Sequence, residues 1–100
     1  MIKHVVMFKM KENAEGENKF QNARKMKEMI ENLMGKIEVL KSMEVGLNIN
    51  DSEAAYDIAL YSSFDDEESL NKYQVHPEHQ KVLDFVRKVV KDRVVVDYQI

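Results

Sequence analysis

A tyrosine and two histidines lie close together in the last third of the chain, in the segment Tyr73-x-x-His76-Pro77-x-His79. Pro77 is typical of the first turn of a helix, so the segment is predicted to join two helical pieces. A helix N-terminus disfavours extra positive charge, and His79, two residues after Pro77, is therefore predicted to be neutral. A neutral imidazole accepts a proton at physiological pH, and a tyrosine hydroxyl polarises a carbonyl. Tyr73 and His79 are candidate catalytic residues for cofactor-free proton transfer beside a ketone.

The same segment has a structural interpretation. Tyr73 and His76 would then cap and brace the helix junction around Pro77; for His76 this interpretation is favoured, although it remains a substrate-binding candidate. A metal site that uses His76 and His79 with Glu78 is the weakest alternative, because Pro77 separates the histidines and no second ligand pair follows. No metal and no cofactor are predicted.

A second polar group is predicted on the sheet, where His4, Asp57 and Asp97 fall on strands one, three and four. In a four-stranded sheet with β-α-β-β-α-β order strand one lies between the other two, so His4 is predicted to be flanked by both carboxylates. Such partners hold an imidazole in one tautomer, and polar groups among valines are costly to bury unless paired. These residues are predicted to form the substrate-binding floor of a pocket under the helices. A polar network that only fixes strand register is the open alternative.

The hydrophobic pattern predicts the elements that position these groups. Alternation with a period of two indicates strands over 2–10, 39–47, 56–64 and 93–100. Helical spacing indicates a helix over 17–34, a short helix over 65–73 capped by Asp65, and a further helix from Pro77 onward. Gly35 is predicted to cap the first helix at its C-terminus. The buried stripe of that helix is predicted to consist of Phe20, Ala23, Met26, Ile30, Leu33 and Met34.

This β-α-β-β-α-β order predicts an α+β, ferredoxin-like sandwich with a four-stranded antiparallel sheet. Two helical regions cover only one face of such a sheet, yet several strands carry apolar residues on both faces. A wide apolar face in water favours association. The sequence therefore predicts a homodimer through the open sheet face, packed across a two-fold axis.

Composition narrows the function classes. The 100 residues, 44% of them hydrophobic, predict one domain over 1–100 with its own core. A net charge of −3 with mixed Lys and Glu argues against a nucleic-acid partner. The absence of cysteine excludes a thiolate nucleophile. No stretch approaches the ~20 apolar residues that span a bilayer, and the opening strand lacks the long apolar run of a signal peptide, so a cytoplasmic protein without a membrane partner is predicted.

Four segments, taken together and in order, resemble the stress-responsive A/B barrel (Dabb) family, and the resemblance covers essentially the whole chain. It implies a ferredoxin-like unit that pairs into a dimeric α+β barrel. The segments are Ile2-Lys3-His4-Val5-Val6-Met7-Phe8-Lys9, Lys41-Ser42-Met43-Glu44-Val45-Gly46, Tyr73-x-x-His76-Pro77-x-His79 and Val95-Val96-Asp97-Tyr98.

The resemblance also implies a function. The family includes a plant polyketide cyclase, olivetolic acid cyclase, in which a tyrosine and a histidine matching Tyr73 and His79 act on the substrate. A histidine and an aspartate of that cyclase match His4 and Asp97, whereas Asp57 stands where the cyclase has a further histidine. The resemblance thus implies a small carbonyl-containing ligand in a pocket between sheet and helices. A non-catalytic stable dimeric scaffold or stress protein is the alternative, and a monooxygenase-like member of the dimeric α+β barrel superfamily is a second one.

Overall fold

The computed structural model describes residues 1–100 as one four-stranded sheet with three helices on one of its faces. A small hairpin of two-residue strands precedes the first helix. In chain order the elements are β1 (Ile2–Met10), β2 (Asn13–Ala14), β3 (Glu17–Asn18), α1 (Lys19–Glu31), β4 (Ser42–Leu47), β5 (Ile58–Phe64), α2 (Glu67–Val75), α3 (Pro77–Val89) and β6 (Val90–Gln99).

The strands of the main sheet are arranged in the order β4-β5-β1-β6, and every neighbouring pair is antiparallel. The predicted order of the four strands and the two helical regions is therefore confirmed, and β1 lies between β5 and β6 as expected. Along β1 every second residue is buried against the helices: Ile2, His4, Val6, Phe8 and Met10. This alternation is the period of two that a strand imposes when one face is covered.

Helix α1 is shorter than predicted and its buried stripe is narrower. Asn18 accepts a hydrogen bond from the Gln21 amide while the Gln21 side chain accepts one from the Asn18 amide, so a capping box starts the helix at Lys19. Phe20 is 64% exposed and Met34, beyond the helix, is 42% exposed. Both were expected in the core and this expectation is wrong, since only Ala23, Met26, Ile30 and Leu33 of the predicted stripe are buried.

Several predicted boundaries are also wrong by a few residues. Gly35 has a positive φ of 89° but lies in the turns that follow α1, whose own C-cap is Asn32. The side chain that caps α2 belongs to Asp66, not Asp65, and it accepts from the Ser69 amide at 2.8 Å. The second, third and fourth strands of the sheet begin at 42, 58 and 90 rather than at 39, 56 and 93.

The segment between β1 and α1 contains a hairpin that the sequence pattern did not reveal. Asn13 and Ala14 pair with Asn18 and Glu17, and the two residues between the strands, Glu15 and Gly16, have φ values of 52° and 79°. Two consecutive positive φ values are the conformation of a type I′ turn, which suits the twist of a two-residue hairpin. The hairpin delivers the chain to the start of α1.

The sheet face opposite the helices carries no layer of the chain. Its apolar side chains come from the three strands β5, β1 and β6, and most of them are exposed: Val5, Met7, Tyr61, Val94, Val96 and Tyr98. Residues directly opposite one another in the register, such as Val5 and Val96, share this face. We call these six residues the outer face.

None of the three helices is long and apolar enough to cross a lipid bilayer.

Two methionines that the sequence pattern placed in one buried stripe differ in exposure, and this difference can be tested. Met26 has no exposed surface, whereas Met34 is 42% exposed. We expect Met26→Ala to lower the free energy of unfolding by about 2–5 kcal/mol, because it leaves a cavity in the core. Met34→Ala is the matched control and should change it by less than about 0.5 kcal/mol. Urea denaturation measures both, and equal losses would contradict the described packing.

Candidate functional site

The site is built around Tyr73, near the end of α2. Its ring packs between Phe64 of β5, at a centroid distance of 5.0 Å, and His79 of α3, at 4.4 Å. The His4 ring lies 6.5 Å away on the side of the sheet. Four aromatic rings from four elements thus form one cluster between the sheet and the helix junction.

The junction itself explains how Tyr73 and His79 meet. Pro77 has no amide hydrogen, so the Tyr73 carbonyl cannot receive the usual helical bond and accepts the His76 amide at 3.2 Å instead. The Glu78 amide donates to Nδ1 of His76, at 3.1 Å, rather than to the Gln74 carbonyl. The freed Gln74 carbonyl accepts a hydrogen bond from Nδ1 of His79, also at 3.1 Å. The break in the helix therefore both turns the chain and fixes the His79 ring.

His79 is set up as a proton acceptor. A carbonyl oxygen only accepts, so the bond to Gln74 places the ring proton on Nδ1 and leaves Nε2 with its lone pair when the ring is neutral. Burial lowers the pKa of His79, and electrostatic repulsion from His4, Arg93 and Arg87 lowers it further, while the bond to Gln74 acts in the opposite direction. The direction agrees with the predicted neutral ring, although burial and not the helix N-terminus is the main cause.

Tyr73 is set up as a hydrogen-bond donor. Burial raises its pKa far above the ordinary value near 10, so the hydroxyl keeps its proton at every physiological pH. No side-chain hydrogen bond in the structure involves this hydroxyl, and no fully buried side-chain oxygen or nitrogen lacks a partner. The Tyr73 oxygen is consequently not completely enclosed, although the residue as a whole is only 1% exposed.

His4 and Asp97 form the pair that was predicted across β1 and β6. They are directly opposite in the register, and Nδ1 of the buried His4 is hydrogen-bonded to a carboxylate oxygen of Asp97. The carboxylate fixes the ring proton on Nδ1 when the ring is neutral, which leaves Nε2 as the free acceptor. On the other neighbouring strand, the Ser62 hydroxyl donates a hydrogen bond to the backbone carbonyl of His4 at 3.3 Å.

Two predicted site residues, Asp57 and His76, are not part of this cluster. Asp57 precedes β5 at the opposite end of the sheet, since the partner of His4 on β5 is Ser62. Its carboxylate accepts from the Met10 amide at 2.7 Å and lies 3.7 Å from Nζ of Lys19, so the prediction that it flanks His4 is wrong. His76 lies next to the cluster but its Nδ1 caps α3, which is the structural role that was favoured for it.

A cleft runs between the edge strand β6 and the two helices α2 and α3. It contains a cavity of about 560 Å³ that His79 lines together with Leu83, Val86 and residues of β6, and a second one of about 330 Å³ that Asp97 and Leu70 line. Gln74 borders both cavities. Small-molecule sites commonly have about 300–1,000 Å³, so the space is adequate for a ligand.

Sequence patterns missed three contributors to this site. Phe64 supports the Tyr73 ring, Gln74 orients His79 through its backbone, and Arg93 lines the larger cavity. A backbone carbonyl carries no residue-type signal, and Phe64 and Arg93 belong to no motif. The proline after Tyr73 was the one available signal for Gln74, because a helix break frees carbonyls in the preceding turn.

The structure contains no group of three or more His, Cys, Asp or Glu side chains placed to hold a metal ion. What the cluster offers is a neutral histidine acceptor, a protonated tyrosine donor and a histidine held by a carboxylate. This is a set of groups for acid and base chemistry.

The sheet order and the helices on one face define a ferredoxin-like α+β protein. Residues 2–100 match the description "Stress responsive A/B Barrel Domain", and the chain belongs to this Dabb family. The resemblance inferred from the four sequence segments is thereby confirmed.

Relatives share the full length of the chain. An uncharacterized protein of Streptomyces coelicolor is 34% identical over 99 residues, which are 99% of each chain. A crystal structure from Bacteroides fragilis, described as a dimeric protein of unknown function with a ferredoxin-like fold, has 38% identity and a TM-score of 0.88 over 99% of this chain and 95% of that one. A hydroxynitrile lyase from Passiflora edulis shares the fold, with 15% identity and a TM-score of 0.81 over 97% and 90% of the chains.

The buried position of His79 predicts a measurable pH dependence. Its folded pKa is below the unfolded value of about 6.5, so acidification adds a proton to the unfolded chain before the folded one. The stability that the neutral ring contributes is complete above about pH 6.5 and is lost as the pH falls through the folded pKa. NMR titration of the His79 ring should give a midpoint below about 6.5. His79→Gln should lose less stability than the wild type on acidification, and a midpoint above the ordinary value would contradict the described burial.

Proposed function

We propose that this protein binds and transforms a small carbonyl-containing molecule in the cleft between β6 and the helices, by acid and base chemistry without a cofactor. One observation carries the proposal: the rings of Tyr73 and His79 are in contact at a centroid distance of 4.4 Å, with a free donor on one and a free acceptor on the other, and His79 lines an open cavity. A donor and an acceptor in neighbouring positions are what proton removal next to a carbonyl requires.

The chemistry follows from the two protonation states. Nε2 of His79 takes a proton from the carbon next to the carbonyl, and the electron pair of that C–H bond moves into the enolate. The Tyr73 hydroxyl donates a hydrogen bond to the carbonyl oxygen, where negative charge develops. Return of the proton from His79 to the same or another atom of the ligand completes a proton transfer or, with a suitable ligand, an addition or an elimination. No oxidant or reductant is needed.

His4 and Asp97 support this site from the sheet. The carboxylate holds the His4 ring, whose centroid is 6.5 Å from that of Tyr73, with Nε2 free. The pair thus supplies a second fixed polar contact for a ligand that enters the smaller cavity, which Asp97 lines. Groups held in place before the ligand arrives contribute more to binding than flexible ones.

A lyase is known on this fold, since the Passiflora edulis structure is a hydroxynitrile lyase. At 15% identity the likeness concerns the fold alone. The likeness supports the proposal in one respect, because it shows that a fold of this kind can form a lyase.

The proposal predicts a residue-specific exchange reaction. In D₂O the protein should catalyse the replacement of hydrogen by deuterium at the methylene next to the ketone of β-benzoylpropionate or its amide, which ¹H NMR follows directly. His79→Ala should reduce the rate by roughly 10²–10⁴-fold because the base is lost. Tyr73→Phe should reduce it by about 10²-fold or more while keeping the ring packing, because one donor to the oxyanion is lost.

The matched control is Lys81→Gln, because Lys81 follows His79 by two residues on α3 but has an exposed side chain and lines neither cavity. It should retain the wild-type exchange rate, and circular dichroism should show the same fold for all four proteins. A rate that is equal in the wild type and in His79→Ala would exclude the catalytic role and favour the dimeric scaffold.

We further propose that the protein is a homodimer whose copies meet through the outer face. The face presents apolar side chains from three strands with no covering layer, and large exposed apolar patches are typical of association surfaces. The Bacteroides fragilis relative, 38% identical, is described as dimeric. A second copy that packs the same face across a two-fold axis is the arrangement that buries these residues in both chains at once.

The dimer can be tested with two neighbouring valines that face opposite sides of β6. Val96 belongs to the outer face, whereas Val95 is opposite the buried Val6 and faces the helices. Light scattering should give the wild type twice the 11.7 kDa mass of the chain. Val96→Lys should shift the protein toward the monomer because it places a charge in the apolar interface. Val95→Lys is the control and should remain dimeric; a monomeric wild type would refute the proposed assembly.

A further inference from the structure

One end of the cleft is positively charged in a chain that is negative overall. The larger cavity is lined by Arg87, Lys91 and Arg93 but by a single carboxylate, that of Asp92. The net charge of the whole chain is −3. A cleft with walls of low dielectric constant concentrates the field of the charges that line it. This end of the cleft therefore attracts anions.

Two of these cations are not neutralised by a carboxylate. Lys91 and Arg93 take part in none of the salt bridges of the structure. The carboxylate of Asp92 is engaged by the Tyr56 hydroxyl and by the backbone amide of Arg93, each at 2.9 Å.

The third cation, Arg87, has a weak partner. Its guanidinium lies 3.4 Å from Asp84 in an exposed pair one helical turn apart. Such pairs contribute little, since water screens them and two long side chains must be ordered. Arg87 is thus an additional positive charge at the rim of the cavity.

Arg93 reaches the cavity from the sheet. It is opposite Phe8 in the register of β1 and β6, and because opposite residues share a face, Arg93 lies on the face that the helices cover. The positive charge of Arg93 is also among the causes that lower the pKa of His79, of which burial is the largest. Arg93 and His79 therefore line the same cavity.

We propose that the carbonyl compound bound in this cleft carries a carboxylate, which Arg93 binds with the support of Lys91. The carbonyl of the ligand then lies against Tyr73 and His79, as the proposed function on which this inference rests requires. A guanidinium binds a carboxylate through two parallel N–H···O bonds, which fixes both the distance and the orientation of the ligand. A cavity of about 560 Å³ has room for a keto acid with one aromatic ring.

The test compares β-benzoylpropionate with its primary amide, because the two share one aryl ketone and differ in the charge. For deuterium exchange at the methylene next to the ketone, kcat/KM should be at least about tenfold higher for the acid, the factor that one charge-assisted hydrogen bond supplies. Arg93→Gln should bring the ratio of acid to amide close to one. Arg24→Gln is the matched control, since Arg24 is exposed on α1 and lies outside this cleft, and should keep the wild-type ratio.

Each other outcome has a distinct meaning. Exchange that depends on His79 but is equal for acid and amide would overturn the carboxylate and leave the proposed function standing. A tenfold preference that persists in Arg93→Gln would overturn the assignment of the binding residue. Exchange that does not depend on His79 with either compound would overturn the proposed function and this inference together.

Discussion

The antiparallel pairing of β6 with β1 is the constraint on which the rest of the structure depends. It places Asp97 opposite His4 and Arg93 opposite Phe8, and so decides which side chains of the last strand face the helices. A shift of one residue would turn each of these side chains to the other face of the sheet. Asp97 would then leave His4, whose buried imidazole would lack its partner.

Because side chains alternate between the two faces of the sheet, β6 contributes to two different surfaces. Val94 and Val96 belong to the outer face, while Arg93, Val95 and Asp97 border the helices. Because β6 is an edge strand over which the helices do not close, the second set is solvent-accessible and forms one wall of the cleft. The apolar outer face and the charged wall of the cleft are consequences of one ten-residue strand.

How far the sequence predicts the structure depends on how local each feature is. Strand alternation and the Pro77 signal are local, and they predicted the order of the elements and the helix junction that carries Tyr73 and His79. The pairing of His4 with Asp97 also followed, because both residues face the helices on strands that are neighbours in this fold.

Features that depend on the register or on the limits of an element were not predicted. Asp57 was predicted to flank His4 because the sequence pattern gives the order of the strands but not their alignment; the observed partner on β5 is Ser62. Phe20 fits the helical period, yet the helix starts only one residue earlier and the Phe20 side chain is 64% exposed. Arg93 is part of no motif, and only the register shows that it faces the cleft.

The site finally requires the helix to be broken. In a continuous helix, residues six apart lie about 120° apart around the axis and roughly 9 Å apart along it, so Tyr73 and His79 would not stack. Pro77 and the His76 cap interrupt the helix between them, and the two rings meet at 4.4 Å. The interruption also frees the Gln74 carbonyl that fixes the His79 tautomer. The backbone groups released by the break are thus the ones that prepare the candidate base, which ties the local effect of one proline to the chemistry of the cleft.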